Sequence, residues 1–181
     1  MKQFFAICVF AFSFASVFAI ECQECNRSYL GTWYVIKSTK PYFEDGLRCL
    51  QADYKFDTTT GTFVTNSTGF DIFNDTVSRV QSAKSYVQDN KMVNIQNLTP
   101  CFLNLAAFYF LTTQYWVVDT DYNNYALVVS CNDVLDLLNC RDVWILSRKT
   151  TLDDNIVKNL VPKLDSGGIH DIKLVDMVQN C

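Results

Sequence analysis

The chain is 181 residues long, with a formal net charge of −4, a pI near 4.9 and a single histidine. An acidic chain without a basic stripe excludes nucleic acid as a partner. One histidine leaves no Ser–His–Asp arrangement and no ligand cluster around a metal, so neither a cofactor nor an enzyme is expected.

The first segment, MKQFFAICVFAFSFASVFA, has a basic start, an apolar middle and small residues at Val17 and Ala19. That pattern describes a secretory signal over residues 1–19, cut after Ala19, with one domain over 20–181. Its removal takes away Lys2 and Cys8, so the charge becomes −5 and seven cysteines remain. Secretion makes disulfides the default for Cys22, Cys25, Cys49, Cys101, Cys131, Cys140 and Cys181. Sequons at Asn26, Asn66, Asn74 and Asn97 agree with an extracellular glycoprotein.

Strand signals then recur roughly every ten residues. Gly31–Lys37 opens the series. Arg48–Phe56 alternates, with Leu50, Ala52, Tyr54 and Phe56 on one face and Gln51, Asp53 and Lys55 on the other. Thr62–Phe70 and Thr76–Val87 follow, then the short Lys91–Gln96. The stretch from Leu98 to Gln114 contains CFLNLAAFYFL, which reads as a lid, an extension of a strand or a membrane-touching loop. Tyr115–Asp119 and Tyr125–Cys131 form a hairpin, because the Asp- and Asn-rich turn between them tolerates tight-turn backbone angles. Val143–Arg148 closes the set. Short antiparallel strands without intervening helices indicate a sandwich or an up-and-down barrel.

One helix is expected afterwards, from about Leu152 to Leu164, capped by Thr151 and stopped by Gly167 and Gly168. Leu152, Ile156, Leu160 and Leu164 make an apolar stripe that suits a brace on the outside of the sheet.

Three motifs fall in order: Gly31-x-Trp33 at the first strand, Thr120-Asp121-Tyr122 in the hairpin turn, and Arg148 after the last strand. With RCLQADY, YWVVDTDYNNYALVVSC, VWILSR and the terminal QNC, the chain resembles the lipocalin family from about Leu30 to Cys181. Within the family it is most similar to apolipoprotein D and the insect bilin-binding proteins. The resemblance implies an eight-stranded antiparallel barrel, open at one end, with one helix packed outside. It implies that Trp33 and Arg148 stack at the closed end and that Cys49 bridges Cys181. It also implies a bridge from an N-terminal cysteine, Cys22 or Cys25, to Cys131. Cys101 and Cys140 have no counterpart in that pattern. The up-and-down order puts both in open-end loops, where they would staple the mouth.

If Trp33 marks the inner face, Val35 shares it, and parity adds Leu50, Ala52, Tyr54, Phe56, Trp144 and Leu146. The hairpin is ambiguous in phase, and the reading adopted turns Tyr115, Val117, Leu127 and Val129 inward. Phe102 and Phe108 would line the mouth. The expected function is secreted carriage of a small hydrophobic ligand, such as a fatty acid, sterol, retinoid or bilin. The alternatives are contact with a lipid or protein surface through the open-end loop and, further off, lipocalin-type isomerisation. The odd seventh cysteine would suit a disulfide-linked partner.

Overall fold

The computed structural model describes residues 25–88, 91–96, 112–134 and 138–181. A short helix α1 (Cys25–Ser28) leads into eight antiparallel strands. They are β1 (Gly31–Ser38), β2 (Leu47–Asp57), β3 (Thr62–Asp71), β4 (Val77–Gln88), β5 (Lys91–Gln96), β6 (Thr112–Thr120), β7 (Tyr125–Val134) and β8 (Leu138–Ser147). Each strand pairs with the next, and β1 pairs with both β2 and β8, so the sheet closes on itself. Closure removes the exposed edges that an open sheet of this size would present.

β1 makes this closure by changing partners along its length. Gly31–Tyr34 is in register with β2, and Tyr34–Ser38 with β8, past a bulge between Val35 and Lys37. Beyond Tyr34 the two strands β1 and β2 separate, leaving carbonyls without a ladder partner. The tail fills that gap. The side-chain amide of Gln179 donates to Val35 O at 2.7 Å and to Leu50 O at 2.9 Å. A two-residue strand β9 (Val175–Asp176) pairs with Lys37 and Ser38, and the amide of Cys49 donates to Val178 O. Cys181 then bridges Cys49 across a sequence separation of 132 residues. Buried carbonyls must find donors, and here the last residues of the chain supply them.

The helix α2 (Asp154–Ser166) starts later than the sequence suggests. Asp153, not Thr151, is its cap: the carboxylate accepts from the amide of Asn155 at 2.7 Å. Pro162 lies inside the helix without ending it, and Gly167 and Gly168 do so.

The described residues form two apolar cores, one on each face of the β7–β8 hairpin. Inside the barrel, Tyr29, Trp33, Val35, Leu50, Ala52, Tyr54, Tyr115, Ala126, Val128 and Leu146 pack together. Outside, Leu127, Val129, Val143 and Ile145 pack against Val157, Leu160 and Leu164 of α2. This explains why both hairpin faces are apolar. Fully burying each such aliphatic side chain is worth about 1.5–3 kcal/mol, which fixes the helix in place.

Candidate functional site

The closed end is a lock built from the three motifs. Gly31 adopts φ +94, and a Cβ there would lie 3.4 Å from Nη1 of Arg148, so a side chain is disfavoured by both backbone and space. The Arg148 guanidinium lies over the Trp33 ring, 3.7 Å from its centroid. It also donates to Tyr122 O at 3.1 Å, Thr32 O at 3.0 Å and Ser28 O at 2.9 Å. The Trp33 indole donates to Tyr29 O at 2.9 Å. In the turn, Asp121 accepts from the amides of Asn123, Asn124 and Tyr125. Against partial desolvation, the side-chain amide of Asn124, which donates at 2.7 Å, and those backbone donors hold its carboxyl below the ordinary range. Thr120 donates to Tyr125 O and accepts from the amide of Tyr122, which presents the Tyr122 carbonyl to Arg148.

Above this lock, three tyrosines converge inside the barrel. The hydroxyls of Tyr54 and Tyr115 are 2.6 Å apart, and those of Tyr29 and Tyr115 are 3.1 Å apart. The Tyr29 ring stacks on Trp33 and meets Tyr54 edge-on at 4.9 Å. Burial pushes the Tyr54 phenol up to about 12 and raises Tyr29 and Tyr115 well above their ordinary value. All three are therefore neutral hydrogen-bonding groups at physiological pH.

The opposite end carries a buried carboxylate. Glu44, on the 3-10 turn Tyr42–Glu44 of the β1–β2 loop, is only 4% exposed. One oxygen accepts from the Ser38 hydroxyl at 2.8 Å, and the other from the Trp144 indole at 2.7 Å. Ser38 and Trp144 are register partners on the inner face. Asp142 precedes Trp144 by two residues and so shares its face. Burial raises the carboxyls of both Glu44 and Asp142, and the Asp142 charge adds to the rise at Glu44.

A family profile described as "Lipocalin-like domain" matches residues 26–179. The chain belongs to the lipocalin family. Apolipoprotein D of Macaca fascicularis is 34% identical over 160 residues, spanning 86% of this chain and 77% of that protein. Apolipoprotein D of Bos taurus is 34% identical over 158 residues with the same coverage. Among solved structures, lobster apocrustacyanin A1 superposes with a TM-score of 0.68 at 25% identity, covering 88% of this chain and 82% of that one. Insecticyanin from Manduca sexta has the same fold, with a TM-score of 0.61 at 21% identity, covering 83% and 78%.

Most of the expected interior of this lipocalin lies together. Val35, Leu50, Ala52, Tyr54, Tyr115 and Leu146 belong to the inner core, with Val117 and Trp144 half-buried against it. The second hairpin arm has the opposite phase from that expected. A bulge between Val117 and Asp119 shifts the register, so Ala126 and Val128 face inward while Leu127 and Val129 lie under α2. Phe56 is also displaced: at 40% exposure it lies near the closed-end terminus of β2, against the ring of Phe63. Cys140 lies within β8 and not in a loop.

Phe102, Phe108, Cys22, Cys101 and Asn97 fall outside the described residues, as do the signal segment and the expected lid. Cys25 and Asn26 are in α1, and Cys131 is in β7. Asn66 pairs in register with the outward-facing Asp53, and Asn74 is exposed in the β3–β4 loop. Sequence reasoning missed Tyr29, Ser38, Glu44 and Asp142. Parity with Trp144 marks Asp142, whereas Tyr29 and Glu44 lie outside any strand and carry no periodic signal.

Proposed function

We propose that this lipocalin is a secreted carrier that binds and transports a small hydrophobic ligand inside the barrel. The observation carrying this reading is the inner face: aliphatic and aromatic side chains around a closed ring of strands, sealed at one end by Trp33 and Arg148. Small eight-stranded barrels hold one small ligand in such a space. The candidate guests are fatty acids, sterols, retinoids and bilins, unchanged by the protein and bound without a cofactor. Apolar burial at about 25 cal/mol per Å² would supply the affinity.

Titration with a retinoid, a sterol, a fatty acid and a bilin is expected to change tryptophan fluorescence saturably for at least one. Native mass spectrometry of the secreted protein, with extraction of its cargo, is expected to show the same class. No saturable response and no extracted cargo would refute carriage. A secreted chain beginning at Ile20 would establish the signal.

A second reading, contact with a lipid surface, is supported by the β3–β4 loop at the open end. Phe73 there is 83% exposed, beside exposed Ile72 and Val77. Flotation with liposomes that is lost in Phe73→Ser tests it.

A further inference from the structure

The inner face is not uniformly apolar. Register places Tyr115 opposite Ser130, and Ser130 opposite Asp142, so these three positions form one row across β6, β7 and β8. Ser130 is 4% exposed, and its hydroxyl makes no hydrogen bond among the described residues. Next to this row, Glu44 approaches from the β1–β2 loop to Trp144. The barrel thus has a band holding two carboxyl groups and the hydroxyl of a largely buried serine. The buried cluster towards the closed end is aliphatic and aromatic, its polar atoms being the phenol hydroxyls of Tyr29, Tyr54 and Tyr115.

Among the described side chains, no cation is paired with Glu44 or Asp142. Arg148 is stacked on Trp33 and spent on backbone carbonyls. Lys37 holds Asp176 of the tail, and Lys40 holds Asp45. Each oxygen of Glu44 accepts one hydrogen bond, and a carboxylate oxygen has room for a second. Burial of an ion without a counter-charge is costly, and the upward shift of both acids reflects that cost.

We propose that this band reads the ligand's head group, accepting one that donates hydrogen bonds, an alcohol or an amine, and excluding a carboxylate. The inference rests on the carrier reading and narrows its ligand. An alcohol donates to Glu44 or Asp142 and accepts from Ser130. An ammonium donates and also neutralises the site. A ligand carboxylate can only accept, and it brings a further acid into a poorly solvated space that already holds two.

The test uses the full mature protein and three ligands of one chain length: dodecan-1-ol, dodecylamine and dodecanoate, titrated at neutral pH against tryptophan fluorescence. The alcohol and the amine are expected to bind about tenfold or more tighter than the carboxylate. In Glu44→Gln combined with Asp142→Asn that gap is expected to close to within a few-fold. Ser130→Ala, which changes no charge, is expected to weaken the alcohol while leaving the carboxylate unchanged, and it keeps the test open if the double variant fails to fold. Dodecanoate binding as tightly as the alcohol, or a gap unchanged in the variants, overturns the head-group inference while carriage stands. Failure of all three ligands to bind, together with the panel of retinoid, sterol and bilin, overturns both.

Discussion

Replacing Arg148 tests whether the closed end holds the barrel together. Its guanidinium donates to three backbone carbonyls and covers the Trp33 indole. Hydrogen bonds from a charged donor reach about 1.5–3 kcal/mol in buried settings. This group is only partly covered and its bond to Ser28 is exposed, so about 1 kcal/mol for each of the other two is the appropriate figure. The cation–π contact adds about 1 kcal/mol. Arg148→Ala should therefore cost about 3 kcal/mol, a fall in Tm of about 6–12 °C for a domain of this size. Arg148→Lys keeps the charge but not the planar fork that reaches three divergent carbonyls, so it should lose about 2 kcal/mol. The assay is reversible thermal or urea unfolding of the oxidised protein. Ligand affinity at a temperature where both proteins are folded should stay the same, because Trp33 separates Arg148 from the interior. A loss below about 1 kcal/mol in Arg148→Ala, or full stability in Arg148→Lys, would refute the reasoning.

Cys181→Ser removes a crosslink over 132 residues; the loop-entropy model predicts a loss of about 4–5 kcal/mol, read by urea unfolding. The buried phenols have folded pKa values above their unfolded value of 10.0. The fold therefore holds their protons longer than the unfolded chain does, and stability falls as pH rises above about 10. Tyrosinate absorbance and circular dichroism should show these phenols ionising only as the barrel unfolds; ionisation near 10 with native dichroism would contradict this. Glu44 is likewise raised, so its contribution to stability falls as pH rises through the window between the ordinary carboxyl value and its folded value. Glu44→Gln should flatten that part of the stability–pH curve, and an unchanged curve would count against it. Finally, Val128→Phe should obstruct the interior and weaken ligand binding at least tenfold, whereas Leu127→Ala should cost about 2–5 kcal/mol of stability with affinity retained. The opposite pattern would restore the phase read from the sequence.

Much of the barrel was legible because a strand exposes its environment through alternation. Arg48–Phe56 declared its inner face in its own letters, and the structure keeps Leu50, Ala52 and Tyr54 on it. Alternation fails where both faces are buried. Ala126 to Val129 is apolar at every position because the barrel interior and the α2 side both exclude water. Nothing in those four residues distinguishes the two directions, and the bulge that decides between them is a backbone event. Phe56 shows a different limit: parity was right, but β2 runs beyond the start of β1, and an inner-face residue there has no opposite wall.

Loops hide their contribution for a third reason. Tyr29 and Glu44 reach the interior from segments without periodicity, yet they decide the chemistry of its two halves. Tyr29 completes a neutral phenol cluster over the closed end, so the lower barrel is filled with protein that can hydrogen-bond to itself. Glu44 brings a second carboxyl group to the upper half, beside Ser130 and Asp142. Apolar walls alone give a cup that would accept any greasy molecule of the right size. The polarity of its two halves is what can discriminate among guests, because desolvating a head group without a matching partner costs more than one methylene gains. In the proposed carrier, specificity would therefore rest on Glu44, which the strand pattern does not reveal, together with Ser130 and Asp142, and changes at these three should alter which ligand is carried before they alter whether the barrel folds.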